Sequence, residues 1–169
     1  MTTYHHGDLR AAVLAAAWKM VETEGVVGLS VREAARRAGV SHSAPYRHFA
    51  DREALLAALV AEGFDQLQSA LENRAGRALG EAYVAFALEH GQRFRLMFSR
   101  AGANVELQER FAASFAHLGA DAAAAGAAAW SLVHGLASLL LEGQLENSPD
   151  FARKVLGAMR FAAAPQRSA

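Results

Sequence analysis

Apolar residues return along most of this chain at the three-to-four-residue interval of an α-helix. Leu9, Val13, Ala16 and Met20 share one face and Gly25 and Gly28 offer a stop, so the pattern predicts a first helix over residues 8–24. Ser30 followed three residues later by Glu33 is a capping-box pattern, predicting a short second helix that ends near Ala38, before the turn that Gly39 permits. Ser41 is a candidate cap for a third helix with Pro45 in its first turn, and Asp51 caps a fourth whose stripe is Leu55, Leu59, Phe64, Leu67 and Leu71. From Glu81 onward Tyr83, Phe86, Phe94, Met97, Phe98, Phe111 and Phe115 recur at loosely helical spacing, broken by Gly91 and Gly102. A long helix capped by Asp121 runs from the alanine-rich stretch through Trp130 to the leucines 139–141, apolar on more than one face. Ser148, Pro149 and Asp150 start a last helix reaching about residue 163. No stretch alternates with period two between turn residues, so the expected fold is all-α, with about nine helices.

Composition narrows the possible roles. Lysine plus arginine and aspartate plus glutamate each number 17 among 169 residues, which argues against a nonspecific polyelectrolyte binder. The absence of cysteine rules out disulfides and thiolate metal sites and suits a reducing cytoplasm. The N-terminus carries no apolar leader core, and no uninterrupted apolar run reaches the roughly 20 residues of a spanning helix, so a soluble, cytoplasmic protein is expected.

Charge is nevertheless gathered locally. Between Ser30 and Phe49, Arg32, Arg36, Arg37 and Arg47 are opposed within that stretch only by Glu33. A helix, a glycine-containing turn and a second short helix describe a helix-turn-helix, in which Ala34, Ala35 and Ala38 allow close crossing while Val40 and Phe49 plug the second helix to the core. Charge and spacing alone fit an exposed basic face on a helical hairpin equally well.

The residues carry a resemblance that goes further. "LSVREAARRAGVSHSAPYRHFADREALL" resembles the signature of the TetR family of bacterial transcription regulators, and the similarity runs from Leu9 to Phe64. Ala34 stands where isoleucine or leucine is usual, Pro45 where leucine is usual and Arg52 where lysine is usual; Val31 or Leu14 must fill the volume left at Ala34. "FALEHGQRFRLMF" and "WSLVHGLASLLLEGQL" look like the subgroup whose regulatory domain carries a Trp-x-x-x-His-Gly signature, with Gly91 in place of a frequent proline.

The resemblance implies a helix-turn-helix DNA-binding domain over residues 1–52 and a helical effector-binding and dimerisation domain over 53–165. It implies that Tyr46, His48, Ser30 and Arg52 reach backbone phosphates, where they position the protein, and that His42, Ser43, Ala44 and Arg47 face the base edges. The alternatives are a half-buried core aromatic for Tyr46 and a helix C-cap for His48. It further implies a homodimeric repressor, paired through residues 121–144 and 149–163, that leaves a palindromic operator when a small apolar molecule binds. The small residues Gly126, Ala129 and Gly135 would admit a partner helix, unless the aromatic middle segment covers that surface within the chain. The rival reading is a helical ligand-binding or interaction module that keeps the helix-turn-helix as scaffold.

Candidate effector contacts are Phe64, Phe86, Phe94, Phe98, Phe111, Trp130 and His134, most of the phenylalanines being core. Trp130 and His134 share a helix face, and for His134 a structural hydrogen bond is preferred over a ligand contact. His5 and His6 are adjacent and so lie on different faces, and His90, His117 and His134 lack ligand-spaced partners, so no metal is expected. Without a catalytic triad order, phosphate loop or dinucleotide pattern, neither cofactor nor enzyme activity is expected.

Overall fold

The computed structural model describes residues 9–100 and 105–158, and among these every regular element is helical. The α-helices are α1 (Leu9–Glu24), α2 (Val31–Arg37), α3 (Arg52–Ala70), α4 (Gly76–Glu89), α5 (Gly91–Arg100), α6 (Val105–Ala113), α7 (Ala122–Leu141) and α8 (Pro149–Ala158). Two 3-10 turns, Ala44–Arg47 and Ala116–Asp121, complete the set. The end of the last helix expected near residue 163 lies outside the described residues, as do His5, His6 and Gly102.

Packing divides the chain into two compact units, residues 1–66 with 90–101 and residues 67–89 with 102–169, a division different from a break at residue 52. The first unit therefore takes in α5, which packs on α1. Its core joins Val13, Leu14, Ala17, Trp18 and Met20 of α1 to Leu29, Val31, Ala34, Phe49, Leu55, Leu56 and Leu59. Ala34 is fully buried in the same cluster as Leu14 and Val31. Arg93 of α5 crosses this unit: its guanidinium lies 4.3 Å from the Trp18 ring centroid and bonds Glu22 at 2.6 Å and Gln66.

In the second unit α7 packs on α4 and α6, and α8 packs on α4. Gly126 sits so close to α6 that a Cβ there would lie 2.5 Å from the Ala112 nitrogen. The expectation that Gly126 and Ala129 admit a partner helix is thus corrected: both are buried within their own unit, and Gly126 is used by the α6 contact. Gly135 has open space beside it. The segment Gly119–Leu141 is long and apolar enough on average to cross a membrane, although Asp121, Ser131, His134 and Ser138 interrupt its apolar run. It buries Val133, Leu136, Ala137 and Leu140 against the other helices.

Candidate nucleic-acid interface

The local rules that start α2 hold on one side. The Ser30 Oγ accepts the Glu33 N–H at 3.1 Å, and Gly39 turns the chain at φ 70°. The reciprocal half of the capping box is missing, because the Glu33 carboxylate bonds Arg36 at 2.7 and 2.9 Å and Arg37 at 2.8 Å.

The third element differs from expectation. It is one 3-10 turn, Ala44–Arg47, preceded by Ser43, whose side chain makes no capping bond. Ser41 acts through its carbonyl, which accepts the Ala44 N–H at 3.1 Å, and its hydroxyl meets that of Ser43 at 3.2 Å. The physical reason is Pro45. In a helix capped by Ser41, residue 45 is the first whose nitrogen would bond the cap carbonyl, and proline has no N–H to do so. Proline also disfavours the α conformation at Ala44. The Pro45 ring is buried and Phe49 is 1% exposed, so the two pin the turn to the core from either end.

What lies between them faces outward. Tyr46 is 50% exposed. His42, Ser43, Arg47 and His48 are exposed and Ala44 half-buried. His48 also caps the turn, its N–H bonding the Pro45 carbonyl at 2.9 Å. An open concavity of about 610 Å³ brings together Ser30, His42 and Tyr46 with Arg32, Glu33 and Arg36. Ser43, Ala44, Arg47, His48 and Arg52 do not line it. Arg32 and Arg36 are the lining cations that the individual site assignments passed over, although the charge pattern had marked both.

The positive charge of the stretch is partly consumed. Arg37 bonds Glu33 and also Glu24 of α1, at 2.6 and 2.9 Å, so the opposition is wider than Glu33 alone. Bonding to Arg36 and Arg37 holds the Glu33 carboxyl down to about 2, and Arg37 lowers that of Glu24 as well. Among the described residues Arg32 and Arg47 have no acidic partner. Arg52 caps nothing outward; its Nε and Nη2 donate to the Leu29 and Val26 carbonyls at 3.0 and 2.7 Å.

The candidate effector residues fall into two clusters, one in each unit. In the first, Phe98 meets Phe64 edge-on at a centroid distance of 5.3 Å and Phe94 at a tilt at 4.7 Å. In the second, the Trp130 Nε1–H donates to the Tyr83 hydroxyl at 3.1 Å, and that hydroxyl lies 2.9 Å from His134 Nδ1. The phenolic oxygen accepts from Trp130, and its own proton can go to the Nδ1 of a neutral imidazole. Burial agrees with it, holding His134 below the ordinary histidine range and pushing the Tyr83 phenol up. Phe111 stacks on Trp130 and meets Tyr83 edge-on, while Phe86 is buried on α4. A cavity of about 70 Å³ in this unit is lined by Leu79, Phe111, Phe115, Val133 and Leu156, of which only Phe111 was a candidate from sequence. Among the described residues no group of three or more acidic or histidine side chains could hold a metal.

Known proteins place this arrangement. Residues 13–59 match the profile of bacterial regulatory proteins, tetR family, and residues 77–159 that of the tetracyclin repressor-like C-terminal domain. A solved protein of unknown function from Rhodococcus sp. RHA1 is 37% identical over 94% of this chain and 94% of its own, with a TM-score of 0.76. A TetR-like transcriptional regulator from Rhodococcus sp. RHA1 is 18% identical over 92% of this chain and 95% of its own, at TM-score 0.67. TetR from Acinetobacter baumannii AYE is 19% identical over 92% and 94%, at 0.63. The last two likenesses speak for the fold alone. No curated protein matches the chain. A helix-turn-helix profile and a regulatory-domain profile matched in order along one all-α chain establish that it belongs to the tetR family of bacterial transcriptional regulators.

Proposed function

We propose that this regulator is a repressor that binds a palindromic operator as a homodimer in the cytoplasm and leaves it when a small apolar molecule enters the C-terminal region. In this reading residues 1–52 contact DNA and residues 53–165 carry effector binding and dimerisation, with the Trp130 to Gly135 signature marking the subgroup; the protein needs no cofactor and performs no catalysis. The observation that carries it is the exposed stretch around the 44–47 turn: His42 and Ser43 lead into it, Tyr46 and Arg47 stand between the buried anchors Pro45 and Phe49, and all four are exposed. Such a turn supports a reading head whose polar side chains project while its backbone stays fixed. Leu132 and Leu139, two helical turns apart on α7 and 48% and 46% exposed, support a dimer through α7 and α8. A two-fold dimer needs its recognition elements about 34–36 Å apart, so an effector that changes this spacing releases the operator.

Selection from a random duplex library followed by a salt-dependent gel shift tests the proposal. The expected product is a palindrome bound by a dimer, and Arg47→Ala should alter the base preference at one position of each half-site, where a direct contact discriminates by about 1–3 kcal/mol. Enrichment of no sequence, or tight binding of a palindrome by a monomer, would refute it.

A further inference from the structure

Arg52 stands where the family resemblance places a phosphate-contacting cation, yet its guanidinium is spent on its own chain. The Nε donates to the Leu29 carbonyl at 3.0 Å, Nη2 to the Val26 carbonyl at 2.7 Å and Nη1 to the Glu53 carboxylate at 3.2 Å. The first two belong to one edge of the planar fork, a pair of parallel donors that lysine does not possess. Both acceptors lie in the link between α1 and α2. That link follows Gly25, whose φ is 73°, and closes on itself by one long backbone bond, Leu29 N to Val26 O at 3.3 Å. Its middle is left in the open, with Val27 91% exposed, while Leu29 is buried and leads directly into Ser30, the cap of α2. The other end of the clamp is firm, because Asp51 caps α3 through the Ala54 N–H at 2.8 Å.

We propose that Arg52 is a positioning residue of the DNA interface: its fork ties the 26–29 link to the start of α3 and so sets the placement of α2, with Ser30, Arg32 and Arg36, against the duplex. The substitution of arginine for the usual lysine then matters for its geometry, since the charge is turned towards backbone carbonyls. The inference rests on the operator-binding reading above. In a chain whose Arg52 is a clamp, losing the fork blurs the fit to a particular site while the number of phosphate contacts stays the same. In a chain whose Arg52 meets a phosphate, every duplex loses the same contact.

The two cases separate in binding curves for Arg52→Gln and Arg52→Lys. The probes are the duplex that the parent protein selects from a random library and a scrambled duplex of equal length, each titrated over a salt series. The clamp predicts an unchanged salt slope on the scrambled duplex, a loss of about tenfold in the ratio of specific to scrambled affinity for Arg52→Gln, and little recovery of that ratio in Arg52→Lys despite its retained charge. It also predicts faster amide hydrogen exchange at residues 27, 29 and 30 of the free variants, with exchange in the α1 core unchanged. A slope lowered by about 0.9 on both duplexes, restored with full affinity by lysine, would show a phosphate contact and overturn the clamp. A parent-like ratio in either folded variant would overturn it too, and Arg52→Lys alone decides if Arg52→Gln does not fold. Should the parent enrich no sequence, the operator reading fails; unchanged exchange at 27–30 would then still refute the clamp.

Discussion

Replacing Tyr83 by phenylalanine removes one oxygen from the interior of the C-terminal unit and leaves the ring in place. Tyr83 is fully buried, and its hydroxyl joins the Trp130 indole N–H at 3.1 Å to His134 Nδ1 at 2.9 Å. Without it the indole loses its acceptor and the imidazole loses that partner. A buried polar group deprived of its partner costs about 1–3 kcal/mol, and since Trp130 and His134 are each half-buried the lower part of that range applies. The expected loss is therefore about 2–3 kcal/mol, which in a chain of this size lowers the melting midpoint by roughly 4–12 °C. Urea unfolding followed by circular dichroism measures it, and a double-mutant cycle with Trp130→Phe isolates the bond. Because the tryptophan donates to the phenol, the cycle should show a coupling of at least about 0.5 kcal/mol. A loss under about 0.5 kcal/mol, or additive single mutants, would refute the hydrogen-bonded lock and favour His134 as a ligand contact.

Replacing both Glu24 and Glu33 by glutamine frees Arg36 and Arg37, so binding to random duplex should strengthen and its salt slope steepen by about 0.9 for each guanidinium that reaches a phosphate; a parent-like slope counts against these carboxylates as restraints on the basic stretch. Leu139→Arg puts a charge in the proposed dimer interface at a cost of several kcal/mol, and sedimentation should find a monomer that no longer holds the operator, whereas an intact dimer would move the interface elsewhere. The depressed His134 value means that the unfolded chain binds the proton more readily, so this group's contribution to stability is complete above about pH 6.5 and is lost as pH falls from there through the folded value. His134→Gln should flatten the urea midpoint between about pH 7.5 and 5.5, and an unchanged profile would contradict the assignment.

The starts of α2, α3 and α8 were legible in the residues themselves because caps and breaks act over at most four positions, whereas Asp121, read as the cap of α7, makes no side-chain capping bond. Ser30 receiving the Glu33 N–H, Asp51 that of Ala54, Ser148 that of Phe151, and Gly39 turning at positive φ all follow from neighbours in the chain. The third element is misread from sequence, which places Pro45 harmlessly in the first turn of a helix capped by Ser41; at the fourth helical position a proline instead removes the first bond of the ladder. Partner choice over longer separations was not legible. A local pattern shows that an arginine is charged, but it does not say whether Arg37 meets a phosphate or Glu24, thirteen residues away, or whether Arg52 faces solvent or the carbonyls of Val26 and Leu29. Helical period likewise marks Gly126 as a place of close approach without telling whether α6 or another molecule approaches. Trp130 and His134 share a face by spacing alone, whereas the phenol they meet comes from Tyr83 on a different helix. Those choices belong to the tertiary structure, because only packing brings the competing partners within hydrogen-bonding distance and removes the water that would otherwise satisfy each group.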